Sequence, residues 1–265
     1  MAALAAMFVL GGVSAVQAAD AETVTEAELR EIAKMDVESA EPKLFPWLRV
    51  EDHRRALRMN GRVIAWTSCP EIVVIGDDYP VLQHALRDWS DEQKRRSEDE
   101  TENMENAVRA FVPSEPFYDS VVVDHWGRVD EQVVSFALSS GTYDGGTHPQ
   151  HAITGVTLST ETGEPVSIDA VITSRDVLLL ALADAFRKQY PGREQDLFSH
   201  DIDKTLNDYH DGGDWQKYID WMLDANNDLH VFYNPYDIAP YSAGGFELTL
   251  RHDVYPEVYR RDLTE

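Results

Sequence analysis

The side chains of this chain best suited to chemistry cluster in one stretch, Ser140-Gly-Thr-Tyr-Asp-Gly-Gly-Thr-His-Pro-Gln-His151. Asp144, His148 and His151 offer a carboxylate and two imidazoles, a donor set that suits zinc or a similar ion. Their spacing fits no compact zinc signature such as His-Glu-x-x-His. The competing reading is that Asp144 caps a turn and His148 bonds loop backbone. A second group lies in Asn234-Pro-Tyr-Asp-Ile-Ala-Pro-Tyr-Ser-Ala-Gly-Gly245. There Tyr236 and Tyr241, with Tyr233 and two prolines, form either a recognition surface or the packing of a sheet edge, since tyrosine gives large contact area at low entropy cost. Asp224-Ala-Asn-Asn-Asp228 begins like a calcium loop. Leu229 replaces the required glycine and Pro235 the bidentate Glu, so a polar turn is expected. There is no Gly-x-Ser-x-Gly elbow and no phosphate loop. The chain is rich in carboxylates, but nothing marks one pair for glycoside hydrolysis. No catalytic residue, metal or cofactor is assigned. The candidate binding residues are Tyr143, Asp144, His148, His151, Tyr236 and Tyr241.

The elements around these residues follow from periodicity. Val133, Val134, Phe136 and Leu138 before the glycine-rich stretch, and Ile153, Val156 and Leu158 after it, alternate as strands do, so the loop is held by sheet. Upstream, Val121 and Val123 form another strand, with Gly127 expected in the hairpin. Downstream, the turn Glu161-Thr-Gly-Glu164 leads to Val166 and Ile168, extending a β-meander. Near the N-terminus, Trp47–Val50, Arg62–Trp66 and Ile72–Ile75 read as short strands, the first two parted by Asn60-Gly61. Pro80 then opens a helix with Leu82, Ala85, Leu86 and Trp89 at helical spacing. Met104, Ala107, Val108 and Phe111 resume the stripe beyond the charged run Asp91–Glu105, giving one long helix or two with a break near Ser97. Thr173 or Ser174 caps a helix through Leu178, Leu182, Ala185 and Phe186, stopped by Pro191-Gly192. Ile202, Leu206 and Tyr209 predict another. Trp215, Tyr218, Ile219 and Met222 predict a further helical stripe. Leu229–Tyr233 and Phe246–Leu250 are strand-like. Strands without regular βαβ alternation predict an α+β fold with a mainly antiparallel sheet, packed by one long helix and several shorter ones.

Composition narrows the partners. The chain has 265 residues and is 43% hydrophobic, enough for a real core. It carries 23 basic and 48 acidic residues, a net charge of −25. Nucleic acid and anionic membrane surfaces are therefore disfavoured, whereas a basic protein or a cation is welcome. The single cysteine, Cys69, rules out an internal disulfide and a Cys-rich zinc site, and reads as a small buried residue. Residues 1–19 carry no charge, and Ala2–Val16 is apolar and too short for a membrane span. With small residues at Val16-Gln17-Ala18 or Gln17-Ala18-Ala19, this reads as a signal peptide that lacks a basic start. Export, to a bacterial periplasm or outside the cell, is the expectation, with no span in the mature protein. Residues 20–46 follow as an acidic arm whose capping box, Thr25-Glu-Ala-Glu28, predicts a short helix. A folded domain is expected over 47–265, with subregions 47–117 and 118–265.

Four stretches together resemble a known family: Tyr79-Pro80 opening the long helix, Tyr143-Asp-Gly-Gly-Thr-His-Pro149, Thr162-Gly-Glu-Pro-Val166, and Phe232-Tyr-Asn-Pro-Tyr-Asp-Ile-Ala-Pro-Tyr-Ser-Ala-Gly244. They look like the extracytoplasmic domain at the C-terminus of the anti-sigma factor RsiV, a domain shared by many exported bacterial proteins of unknown function. The likeness spans roughly Ile72 to Tyr259. It implies an α+β domain without established catalysis and, from RsiV, the binding of lysozyme. The chain shows no sigma-binding segment or spanning helix before the domain, so the resemblance carries a soluble binding role, not the anti-sigma one. Three functions follow as expectations: an exported non-enzymatic binder of a basic, lysozyme-like protein; a cell-wall hydrolase or deacetylase-associated domain with its site around Tyr143–His151; and a structural envelope protein.

Overall fold

The computed structural model describes residues 20–23, 45–110 and 113–260. The expected signal peptide over 1–19 and the capping-box helix of the arm lie outside the described residues. Among the described residues, two sheets and four helices make an α+β fold, as the sequence predicts.

The first sheet has six strands in the order β1 to β6. β1 (Asp20–Thr23) lies antiparallel on β2 (Leu48–Met59), which turns into β3 (Arg62–Val74). Asn60 and Gly61 both take positive φ, 53° and 78°, the backbone that a two-residue hairpin needs to match strand twist. The short strands expected here are parts of one long hairpin. Pairs such as His53 with Cys69 and Asp52 with Pro70 keep the intervening polar residues extended. Cys69 is buried.

Helix α1 (Pro80–Ala110) crosses to β4 (Phe117–Val129), which pairs parallel with β3. It is one helix without a break at Ser97. Ser90, Ser97 and Thr101 are buried and join Leu86 to Met104 and Val108 along one face. Their hydroxyls replace apolar contact by hydrogen bonds: Ser90 Oγ accepts from Ile72 N at 3.1 Å, and Thr101 and Thr67 hydroxyls meet at 2.9 Å.

β5 (Val133–Tyr143) and β6 (Gln150–Ser159) complete the sheet. Gly127 is not in the hairpin but inside β4. A Cβ there would stand 1.9 Å from the carbonyl oxygen of Leu223. Gly155 in β6 meets Trp221 O at the same 1.9 Å. The two glycines are footholds for a second layer, where backbone approaches too closely for any side chain.

That layer holds α2 (Ile168–Val171), α3 (Arg175–Gln189), α4 (Ile202–Tyr209) and a sheet of β7 (Asp220–Leu223), β8 (Leu229–Tyr233) and β9 (Phe246–Leu250). Ile168 therefore starts a helix instead of extending the meander. Ser174 caps α3 by accepting from Val177 N, and Asp201 caps α4 by accepting from Lys204 N. The helical stripe expected over Trp215–Met222 is replaced by a 3-10 turn, Trp215–Tyr218, followed by β7. β7 is covered on both sides. Trp221 and Leu223 enter the helical core, and Met222 packs with Ala137 and Phe232 between the sheets. An all-buried strand has no polar alternation and mimics a helical stripe. The exposed edge of β9 is bonded by α3 and its cap: Gln189 grips Thr249 N and O, and Tyr190 Oη bonds Glu247 N and O.

Candidate functional site

The glycine-rich loop between β5 and β6 and the aromatic connection between β8 and β9 meet in space. His148 stacks on Tyr241, with ring centroids 3.7 Å apart and planes at 21°. Tyr241 Oη donates to Pro149 O at 2.5 Å, so the second motif clamps the backbone of the first. Tyr236 leans on Tyr241 at 5.7 Å. It is exposed and adopts φ 77°, a conformation unusual for a residue with a bulky side chain. Held there by its N–H to Ala239 O, it carries the backbone strain often found at binding sites. Gly145 has φ 93°, and a Cβ on it would lie 3.0 Å from the Phe117 ring. The loop can therefore lie flat on that ring only with glycine.

Under the clamp is a cavity of about 660 Å³. Helix α1 supplies one wall with Arg96, Glu100, Asn103, Met104 and Ala107. β4 supplies Phe117, Tyr118 and Asp119, and β5 supplies Thr142 and Tyr143. The rim carries Asp144, Gly146, Thr147, His148, Gln150 and Tyr236. Tyr118 stacks on Trp66 (5.1 Å, 17°) and touches Tyr143 on the face of the sheet away from α1. Asp119 is the buried charge of the site, 5% exposed. Burial pushes its carboxyl up from the usual range; nearby Arg96 opposes this and Glu100 adds to it.

Of the candidate residues, Tyr143, Asp144, His148 and Tyr236 line this cavity and Tyr241 braces it from behind. His151 is separate. It stands on β6 opposite Gly141 and lines another groove, of about 390 Å³, with Phe232, Asn234 and Glu247. Asp144, His148 and His151 therefore do not form a ligand cluster. Among the described residues, the group of three ligating side chains with donor atoms within 4.8 Å of one another is Glu51, His53 and Glu71. Lys94 Nζ already holds Glu71 at 2.7 Å and places positive charge beside it. The loop reading holds for His148, whose Nδ1 lies 3.0 Å from Pro149 O. Asp224–Asp228 is a turn between β7 and β8: Asp224 Oδ1 accepts from Asn226 N and Asp228 N.

Sequence reasoning missed Arg96, Glu100, Asn103, Asp119 and Gln150. The α1 residues are hidden in a charged run that reads as solvated. Asp119 did leave a signal: it is a carboxylate inside the otherwise apolar and aromatic start of a strand, Phe117-Tyr-Asp-Ser-Val121.

Residues 173–253 match the model of a protein family of unknown function, DUF3298. The match covers α3 through β9, including Tyr236 and Tyr241 but not the Tyr143–His151 loop. A solved structure of a DUF3298 family member from Bacteroides fragilis is similar over 81% of this chain and 94% of its own, at 14% identity and a TM-score of 0.52. A DUF3298 family protein from Pseudomonas aeruginosa aligns over 83% of this chain and 97% of its own, at 13% identity and a TM-score of 0.48. At these identities the first likeness speaks for the fold alone. No curated protein matches the chain. Among the described residues no helix is long and apolar enough to cross a membrane.

Proposed function

We propose that the protein is an exported, non-enzymatic binding protein that takes up a positively charged protein partner, with lysozyme the first to test. The observation that carries this reading is the clamped cavity. Two motifs far apart in sequence join through His148, Tyr241 and Pro149 beside a cavity lined by Glu100, Asp119 and Asp144. Two of the four stretches that resemble RsiV meet at this junction. The net charge of −25 favours encounter with a basic partner. Exposed Tyr236 at the rim is a rigid aromatic of the kind that anchors protein interfaces. The apolar run over 1–19 supports export to a periplasm or beyond the cell.

Calorimetric titration with hen-type lysozyme, at low and at moderate salt, tests the proposal. A shaped interface predicts saturable one-to-one binding whose affinity survives moderate salt. Absence of binding, or heat that disappears as salt is raised, would leave only unspecific charge attraction and refute it.

A further inference from the structure

The cavity contains a charge that the fold leaves unanswered. Asp119 is more than nine-tenths buried, and among the described residues its carboxylate makes no hydrogen bond and no ion pair. Its oxygens are not among the fully enclosed, partnerless polar atoms, so they open onto the cavity, where a ligand can take the place of water. Its neighbours on β3 and β4 do not serve. Thr67, opposite it in register, spends its hydroxyl on Thr101, and Ser68 and Ser120 bond each other at 2.7 Å. The lining carries Glu100, Asp119 and Asp144 against the single guanidinium of Arg96, which is exposed at the mouth.

From this juxtaposition the geometry points to a cation subsite: Asp119 anchors one protonated amine or guanidinium inserted beside Glu100, between α1 and β4. An ammonium carries three donors and a guanidinium five, so either can satisfy a carboxylate. On a protein partner the inserted group is a Lys or Arg side chain. The inference rests on the proposed recognition of a basic protein and names the atom that would hold it.

The test uses the intact protein, isotope-labelled, titrated by NMR with Nα-acetyl-lysine methylamide, its arginine counterpart, and the neutral isostere Nα-acetyl-norleucine methylamide. The expected result is that the cationic probes shift the resonances of Thr142, Tyr143 and Asp144 and the neutral one does not. Asp119→Asn, nearly isosteric, should weaken the cationic probes on the order of 30-fold or more. It should also raise the melting temperature, because it removes an uncompensated buried charge. Glu100→Gln, on the more open helical wall, should weaken them only about two- to fivefold. Equal shifts from the neutral probe, no shifts at all, or unchanged binding in Asp119→Asn with a lower melting temperature would overturn the assignment and make Asp119 structural. Binding of a neutral sugar unaffected by Asp119→Asn would do the same. Cationic probes that bind Asp119 while lysozyme does not would retain the subsite and reject the partner. Lysozyme binding indifferent to Asp119→Asn would do the reverse.

Discussion

His210 should make this protein lose stability in mild acid. It ends α4 with its ring fully buried among Tyr209, Trp215 and Tyr233. Nε2 shares a 2.9 Å hydrogen bond with the Tyr233 hydroxyl, while buried Nδ1 has no partner. Burial pushes its pKa from the ordinary 6.5 down to about 4, and the nearby charge of Arg175 adds to the effect. The neutral ring is the one that fits. Because the folded-state value lies below the unfolded one, its stabilisation is complete above pH 6.5 and drains away as the pH falls toward 4, by about 3 kcal/mol in all. Asp220 acts in the opposite sense. Burial, then Asp237, raise it to about 6 from 3.8, so folding gains as the pH falls between those values. Asp220 is only half-buried, and solvent screening holds its share to about 1 kcal/mol. His210 wins, and the pair should cost a net ~2 kcal/mol between pH 6.5 and 4. Urea denaturation at intervals from pH 7 to 4, for wild type and His210→Phe, checks this. At pH 7 the variant should be weaker by about 1–3 kcal/mol, since the buried Tyr233 hydroxyl loses its partner. The informative quantity is the difference curve, in which the other titrating groups cancel. It should fall by about 3 kcal/mol across the window, so that in acid the variant equals or exceeds the wild type. Parallel curves from pH 7 to 4 would show that His210 does not titrate with folding and would refute the reasoning.

Two further outcomes test the architecture of the site. Gly155→Ala should cost at least about 3 kcal/mol or prevent soluble folding, because the new methyl collides with Trp221 backbone that cannot move aside without parting the two sheets; thermal denaturation reads this directly. Tyr241→Phe removes the hydroxyl held to Pro149 O but leaves the ring against His148; it should lower stability by only about 1 kcal/mol while releasing the loop, seen as faster amide exchange over 144–150 and weaker lysozyme binding.

What could be read in the sequence was whatever repeats locally. The Asn60-Gly61 hairpin, the Ser174 cap and the alternation of β5 and β6 each lie within a few residues of their cause. The failures come from burial on both faces. β7 reads as helix because Trp221, Met222 and Leu223 all point into core, and Gly127 reads as a turn because the backbone that requires it lies far along the chain at Leu223. The same division explains the site. Its rim announces itself through glycine, proline, histidine and tyrosine, residue types that loops need to bend and to stack. Its floor and wall come from α1 and β4, where Glu100 looks like one more solvated acid and Asp119 like an irregularity in a strand. Only the parallel crossing of β3, α1 and β4 brings those two carboxylates to one cavity. In the proposed binding role the rim sets which loops meet the partner, and the charge proposed to select it belongs to the scaffold. A change of partner within this fold would therefore need substitutions in α1 and β4 as much as in the loops.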